Sequence, residues 1–218
     1  MDKPSPAPSE RTRVKRLHER GRYDATTLYA ILDATPMCSV GYVIDGMPFV
    51  TPTLQWRDGD HVYWHGSSAS RALRSANEAN VCLTVSLLDG FVLARSGMHH
   101  SMNYRSAMLL GKGTKIIDPD RKEALLAAFV DRLFPGRWAS LRAMTQQELK
   151  ATSVLSMPID EASAKIRTGM PIDDEEDYDV PVWAGVLPVR MEVQAPQPDP
   201  RNLPGMDTPT FGPTPKLG

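Results

Sequence analysis

Three Asp-Gly pairs, Asp45-Gly46, Asp58-Gly59 and Asp89-Gly90, lie between short apolar runs in the first half of the chain, and they constrain the fold more than any other feature. Asp-Gly between two β-like runs supplies the positive φ values that type I′ hairpin turns require. The runs so separated read as strands over Met37 to Ile44, Pro48 to Trp56, His61 to His65, Val81 to Leu87 and Phe91 to Ala94. Tyr104 to Ile117 extends the series, with a bulge or bend expected at Gly111 and Gly113. Val154 to Ile159 and Ala184 to Val189 complete it. Helices are predicted at Thr26 to Ala34, behind Asp24 as N-cap, and at Ser70 to Asn77. Arg121 to Leu133 carries one apolar face and ends at Pro135-Gly136, and Thr145 to Glu148 fits a capping box. Strands joined by hairpins, with helices at the ends, predict a mainly β fold with peripheral helices. Its expected form is an antiparallel barrel, whose closure removes exposed strand edges. The irregular alternation of strands and helices disfavours a Rossmann fold.

The 218 residues, 41 % hydrophobic and 23 % charged, suit one domain with appendages. The folded domain is expected over residues 11–191. A disordered segment is expected at 1–10, where Pro4, Pro6 and Pro8 fall, and a disordered proline-rich tail at 192–218. Cys38 and Cys82 sit in apolar runs and read as small buried hydrophobes. The start lacks a signal-peptide pattern, and no run approaches the ~20 apolar residues of a membrane span. The expectation is therefore a cytoplasmic protein without membrane attachment. A net charge of −1 argues against general nucleic-acid binding. Charge is locally uneven: Arg11 to Arg22 holds six basic residues, and Asp173 to Asp179 is almost wholly acidic. Solvated surface is the simpler reading of both, although the two could attract each other.

Chemistry concentrates in two stretches. In YWHGSSASRALR, Tyr63 to Arg74, a strand ends at His65, Gly66 permits a turn, and serines precede a helix containing Arg71. Hydroxyls, backbone N–H groups and a fixed cation together suit a phosphate, although serine at a helix start is also an ordinary cap. In HSMNYRSAMLLGKG, His100 to Gly113, strand alternation sends Tyr104 and Ser106 to one face and Arg105 to the other. By themselves these residues favour a strand-end ion pair for Arg105. His99-His100 are poorly placed to share one metal, because neighbours on a strand diverge. Gly111-Lys112-Gly113-Thr114 lacks the remaining glycine and the setting of a phosphate loop, and Gly66-Ser67-Ser68-Ala69 is not a nucleophile elbow. The acidic run lacks the alternating spacing of a calcium loop.

Six blocks in order resemble the FMN-binding split-barrel proteins related to pyridoxamine 5′-phosphate oxidase, particularly the nitroimidazole-reductase-like branch. The blocks are Gly46-Met47-Pro48 leading into TPT, YWHGSSASRAL, DGFVLARS, HSMNYRSAMLLGKG, ATSVLSMPIDEASAKIRTG and VWAGVLPV. The resemblance implies an antiparallel split β-barrel that binds FMN at the interface of a homodimer. It places Ser67, Ser70 and Arg71 at the phosphate and His65 beside the phosphate and ribityl chain. Thr51, Pro52 and Thr53 would run along the flavin edge. Ser106 would face the ring with Tyr104 and Arg105 adjoining, and Trp183 would reach it from the other subunit. Arg105 would then tune the potential of the reduced ring. The acidic run, preceding Trp183, would be a mobile loop near the flavin mouth.

The second strand carries Thr51 and Thr53 where oxidases of pyridoxamine phosphate carry basic residues, so that reaction is disfavoured. The resemblance implies an FMN-dependent oxidoreductase reducing a small acceptor, with a nicotinamide nucleotide as a candidate electron donor. Two alternatives stand beside it: a flavin carrier or sensor without turnover, and a haem-binding protein on the same fold with His65 or His100 as ligand. No side chain is an obvious acid, base or nucleophile, so no catalytic residue and no metal ligand is named.

Overall fold

The computed structural model describes residues 7–209. Ten strands, paired antiparallel throughout, form one connected system with four α-helices around it. The strands are β1 (Gly21–Arg22), β2 (Met37–Ile44), β3 (Met47–Asp58), β4 (His61–Ser67), β5 (Asn80–Leu93), β6 (Ser101–Lys112), β7 (Thr114–Lys115), β8 (Thr152–Pro158), β9 (Glu161–Arg167) and β10 (Gly185–Pro188). The helices are α1 (Ala25–Asp33), α2 (Arg71–Ala76), α3 (Pro119–Leu133) and α4 (Gln146–Ala151). Spatially the strands run β1-β9-β6-β5-β2-β3-β4-β8-β7, and β10 joins β5.

The barrel is split because β3 serves two partners in turn. Its first part pairs with β2, from Ile44↔Met47 to Met37↔Leu54, and its last four residues pair with β4, from Gln55↔Trp64 to Asp58↔His61. The β4 residues beyond Trp64 instead continue their ladder with β8. β3 and β4 therefore part at Thr53 and His65, leaving a slot between them. Strand β9 takes up the other side: it leaves β8 through a turn at Asp160 and pairs with β6.

Local chemistry explains most boundaries. The Asp45-Gly46 turn has positive φ at both residues (51° and 79°), the type I′ geometry that the dipeptide predicts. In α1 the Asp24 carboxylate accepts from the Thr27 N–H at 2.7 Å, and in α4 the Thr145–Glu148 capping box forms in both directions. Gly136, at φ 76°, lies just beyond α3.

Asp89-Gly90 is a correction. It does not turn the chain; β5 runs on as one long strand with a bulge between Leu88 and Gly90. Glycine is needed there for space, since a Cβ at Gly90 would lie 3.0 Å from the Leu187 carbonyl oxygen of β10. Of the two positions where a bulge or bend was expected, Gly111 and Gly113, the strand breaks at Gly113, where a Cβ would come within 2.5 Å of the Ala76 carbonyl oxygen. β9 and the short β1 went unread as strands. β9 mixes alanine with charged residues, and its Ala162 and Ala164 are buried by the sheet rather than by any apolar run.

Two apolar clusters stabilise the barrel. The larger fills the interior from Val40, Leu83, Leu109 and Leu155 to Ile31 and Leu32 of α1. The smaller packs Leu125, Leu126 and Phe129 of α3 against Trp56, Tyr63 and Val154. Cys38 lies in the larger cluster, where burial pushes its thiol up to about 12, so it is an inert hydrophobe as expected. Residues 192–209 form no helix or strand and are exposed; the ends of the segments expected to be disordered, 1–6 and 210–218, lie outside the described residues. Among the described residues no helix is long and apolar enough to cross a membrane.

Candidate functional site

The slot between β3 and β4 is lined by four of the eleven residues singled out from sequence, Thr51, Thr53, His65 and Ser70. Alternation points Thr51 and Thr53 inward, and they line a cavity of about 110 Å³ with Tyr42, His65, Gly66 and Ser70. The Thr51 hydroxyl lies 3.0 Å from the Tyr42 hydroxyl, and the Thr53 hydroxyl donates to the His65 carbonyl at 3.4 Å. Pro52, between them, faces outward and is exposed. At the mouth, the Ser67 hydroxyl accepts from the Ala69 N–H at 3.2 Å. Ser70 precedes α2 but makes no side-chain capping bond, so its hydroxyl is available. Arg71 lies over the Phe49 ring at 4.7 Å and is exposed; among the described residues no carboxylate pairs with it. The stack holds the guanidinium in place without neutralising it.

His65 lines the slot, but its ring turns toward the smaller apolar cluster. Its ring lies against Trp56 (5.8 Å) and Phe129 (5.2 Å), and its buried Nδ1 has no hydrogen-bond partner. Burial holds its pKa below the ordinary value of 6.5, so the imidazole is neutral at pH 7. A neutral imidazole with an unused nitrogen is a potential ligand. His100 is less suited, because it is exposed and its Nδ1 lies 2.9 Å from the Ser96 carbonyl oxygen.

The remaining sequence-derived residues lie elsewhere. Tyr104 and Ser106 are on the outer face of β6, and the Ser106 hydroxyl donates to the Lys165 carbonyl at 3.3 Å. Arg105 forms a bidentate ion pair with Asp89 (2.6 and 2.9 Å), the strand-end pair that its position suggested. That pair borders a cavity of about 830 Å³, lined also by Thr35, Met37, Leu88 and Arg190. Trp183 is 63 % exposed, with its ring directly over Gly185. The residues therefore fall into two groups, one around the slot and one on β6 and near β10.

Asp89 was hidden from sequence reading by its apparent place in a turn, and Phe49 by being an ordinary strand residue. The acidic run also differs from expectation, since it is anchored rather than loose. Asp173 is buried and accepts from both the backbone N–H and the guanidinium of Arg95, at 3.0 Å each, while Tyr178 lies 4.7 Å from that guanidinium. The acidic and basic runs do not pair with each other among the described residues. His99, Asp173 and Asp177 bring ligand atoms within 4.8 Å of one another, but Arg95 already supplies the cation in that corner.

Residues 24–166 match the family described as pyridoxamine 5′-phosphate oxidase. The chain belongs to that family. Among solved structures, a flavocytochrome from Azotobacter vinelandii is 55 % identical, with a TM-score of 0.91 over 94 % of this chain and 95 % of that one. An FAD- and haem-binding protein from Mycobacterium smegmatis is 39 % identical, with a TM-score of 0.84 over 88 % of this chain and 94 % of that one. A candidate 5-nitroimidazole antibiotic resistance protein from Bacteroides thetaiotaomicron VPI-5482 is 25 % identical, with a TM-score of 0.55 over 67 % and 86 %. A search of curated proteins gave no match. The fold of this family member is the split barrel that the six sequence blocks implied.

Proposed function

We propose that this family member is a flavocytochrome: it binds a flavin nucleotide and haem in a homodimer and acts as an oxidoreductase. The observation that carries the reading is the composition of the slot. Ser70 and His65 line it, Ser67 and Arg71 flank them in the chain, and His65 is neutral with an unpartnered Nδ1. Arg71 and the serines fit a nucleotide phosphate, and Thr51 and Thr53 offer hydroxyls along its edge. His65 fits a haem ligand. Likeness over nearly the full length to the Azotobacter flavocytochrome supports combining the two. The description of the Mycobacterium protein favours FAD over the FMN expected from sequence.

When bound, the flavin supplies hydride chemistry and the haem one-electron chemistry. This chain holds and orients both groups, and through Arg105 and Asp89 sets the charge on the outer cavity. A nicotinamide nucleotide remains the candidate reductant and a small acceptor the candidate substrate, and the cytoplasm is the proposed compartment. The slot alone, about 110 Å³, is far below the ~300–1,000 Å³ of a cofactor site, which favours completion by a second copy. Apolar side chains on the outer surface, Met37, Val50, Phe91 and Met102, are each about half exposed or more and offer that copy a contact face.

The test is the visible spectrum of the purified protein, with its flavin extracted and identified. Flavin bands with a Soret band and extracted FAD are expected. Flavin without a Soret band after haem addition would remove the haem half. Absence of any flavin uptake would remove the other.

A further inference from the structure

We infer that the basic segment near the N-terminus builds a binding site for the diphosphate of a nucleotide on the outer face of the sheet; this extends the flavin reading above. The segment crosses β5, β6 and β9 and encloses a cavity of about 490 Å³. Strand register fixes the floor. Ser86, Ser106 and Lys165 are directly opposed across the three strands, and Thr84, Met108 and Ser163 form the next row. Each row shares a face, so one surface presents a ladder of hydroxyls beside a lysine.

The wall is cationic, and not all of it is used structurally. Arg11 pins the segment to β9 through Glu161, and Arg13 pairs with Glu10 at 3.3 Å. The Val14 N–H donates to the Tyr23 hydroxyl at 2.9 Å, fixing the next residues. Arg16 and Lys165 pair with no carboxylate among the described residues, and the Ser86 and Ser163 hydroxyls make no hydrogen bond there. Two unmatched cations over free hydroxyls, on a segment that Arg11 ties to β9, match the donors that a diphosphate requires.

A single phosphate would leave most of this volume empty, and the position points to something longer. The basic cavity and the 830 Å³ cavity beside Arg105 share the lining residue Ser86. A diphosphate under Arg16 and Lys165 uses the unpaired cations and the Ser86 and Ser163 hydroxyls together. The donor chemistry is the same for a nicotinamide dinucleotide and for FAD, whose single diphosphate would then sit here in place of the slot beside Arg71.

The experiment uses the purified full-length protein and the double variant Arg16→Ala/Lys165→Ala, with Lys150→Ala as a distant control. Both substituted side chains lie at the surface of the cavity, so folding should be unaffected and is checked by circular dichroism. Binding of ADP, NADH, FAD and FMN is measured by calorimetry at low salt. A tenfold or greater loss for FAD with FMN unchanged assigns the site to the flavin's own diphosphate. A similar loss for ADP and NADH with both flavins unchanged assigns it to a separate dinucleotide. Changes below twofold for all ligands in the double variant would overturn the site. Wild-type protein that takes up neither flavin would defeat the flavocytochrome reading, while ADP still reports on this site.

Discussion

Arg71 flanks the slot that His65 lines, and the two are held in place by different forces. Arg71 rests on Phe49 and contributes little to folding, so its charge is free for a ligand. Arg71→Ala should weaken flavin binding by about 10- to 100-fold, the worth of a charge-assisted hydrogen bond, and leave Tm unchanged. Fluorescence titration with the flavin checks this, and an unaltered affinity would remove Arg71 from the site. His65 is held neutral by burial, with its folded pKa below the unfolded 6.5. The folded state therefore binds fewer protons than the unfolded state in that window. Stability from this group is complete above pH 6.5 and is lost as pH falls from there toward the folded pKa. Without haem, the Tm of the wild type should fall more between pH 7.5 and 5.5 than that of His65→Gln. Parallel curves would show that His65 is not the titrating group.

Elements meet at two glycines that sequence alone reads as flexible punctuation. Gly113 is the junction where β6 ends and the chain passes close to α2, and its missing side chain is what permits that approach. Gly113→Ala should cost about 1–3 kcal/mol through overpacking against backbone that cannot yield. Gly97→Ala, where nothing lies within 4 Å, should stay within about 0.5 kcal/mol. Chemical denaturation of the two variants gives the comparison, and equal midpoints would refute the packing argument. The Arg95–Asp173 pair does a related job for the acidic run, tying the segment before Trp183 to the end of β5. Burial pushes the Asp173 carboxyl up, but hydrogen bonds from the Arg95 backbone and side chain outweigh it, leaving the pKa below the ordinary carboxylate value. That contribution is present at neutral pH and is lost only in strong acid.

At the scale of the whole molecule, inner slot and outer surface carry complementary halves of one proposed site. A chain of 24.1 kDa should therefore elute at about twice that mass in light-scattering chromatography. Val50, 67 % exposed on β3 and on the face opposite its slot-lining neighbour Thr51, tests the coupling. Val50→Glu would bury a charge at an interface and should give monomers that also lose flavin at least tenfold. Monomers that retain flavin would place the whole site within one chain. Dimers that persist would move the interface elsewhere.

Short-range signals were legible because their physics is local. Asp45-Gly46 supplied positive φ, and Asp24 and Thr145 supplied caps. The slot residues of YWHGSSASR were likewise readable as a phosphate-type cluster, because they lie within one strand end and one helix start. Asp89-Gly90 misled for the opposite reason. Its glycine answers to the backbone of β10, almost a hundred residues away in the chain. β9 escaped notice because its burial comes from neighbours in the sheet and not from its own apolarity. Tertiary structure alone decided that β3 changes partner and opens the slot, that Asp89 matches Arg105, and that Lys165 joins the basic N-terminal segment. Each of these depends on strand register across long separations, which no local pattern of residue types encodes.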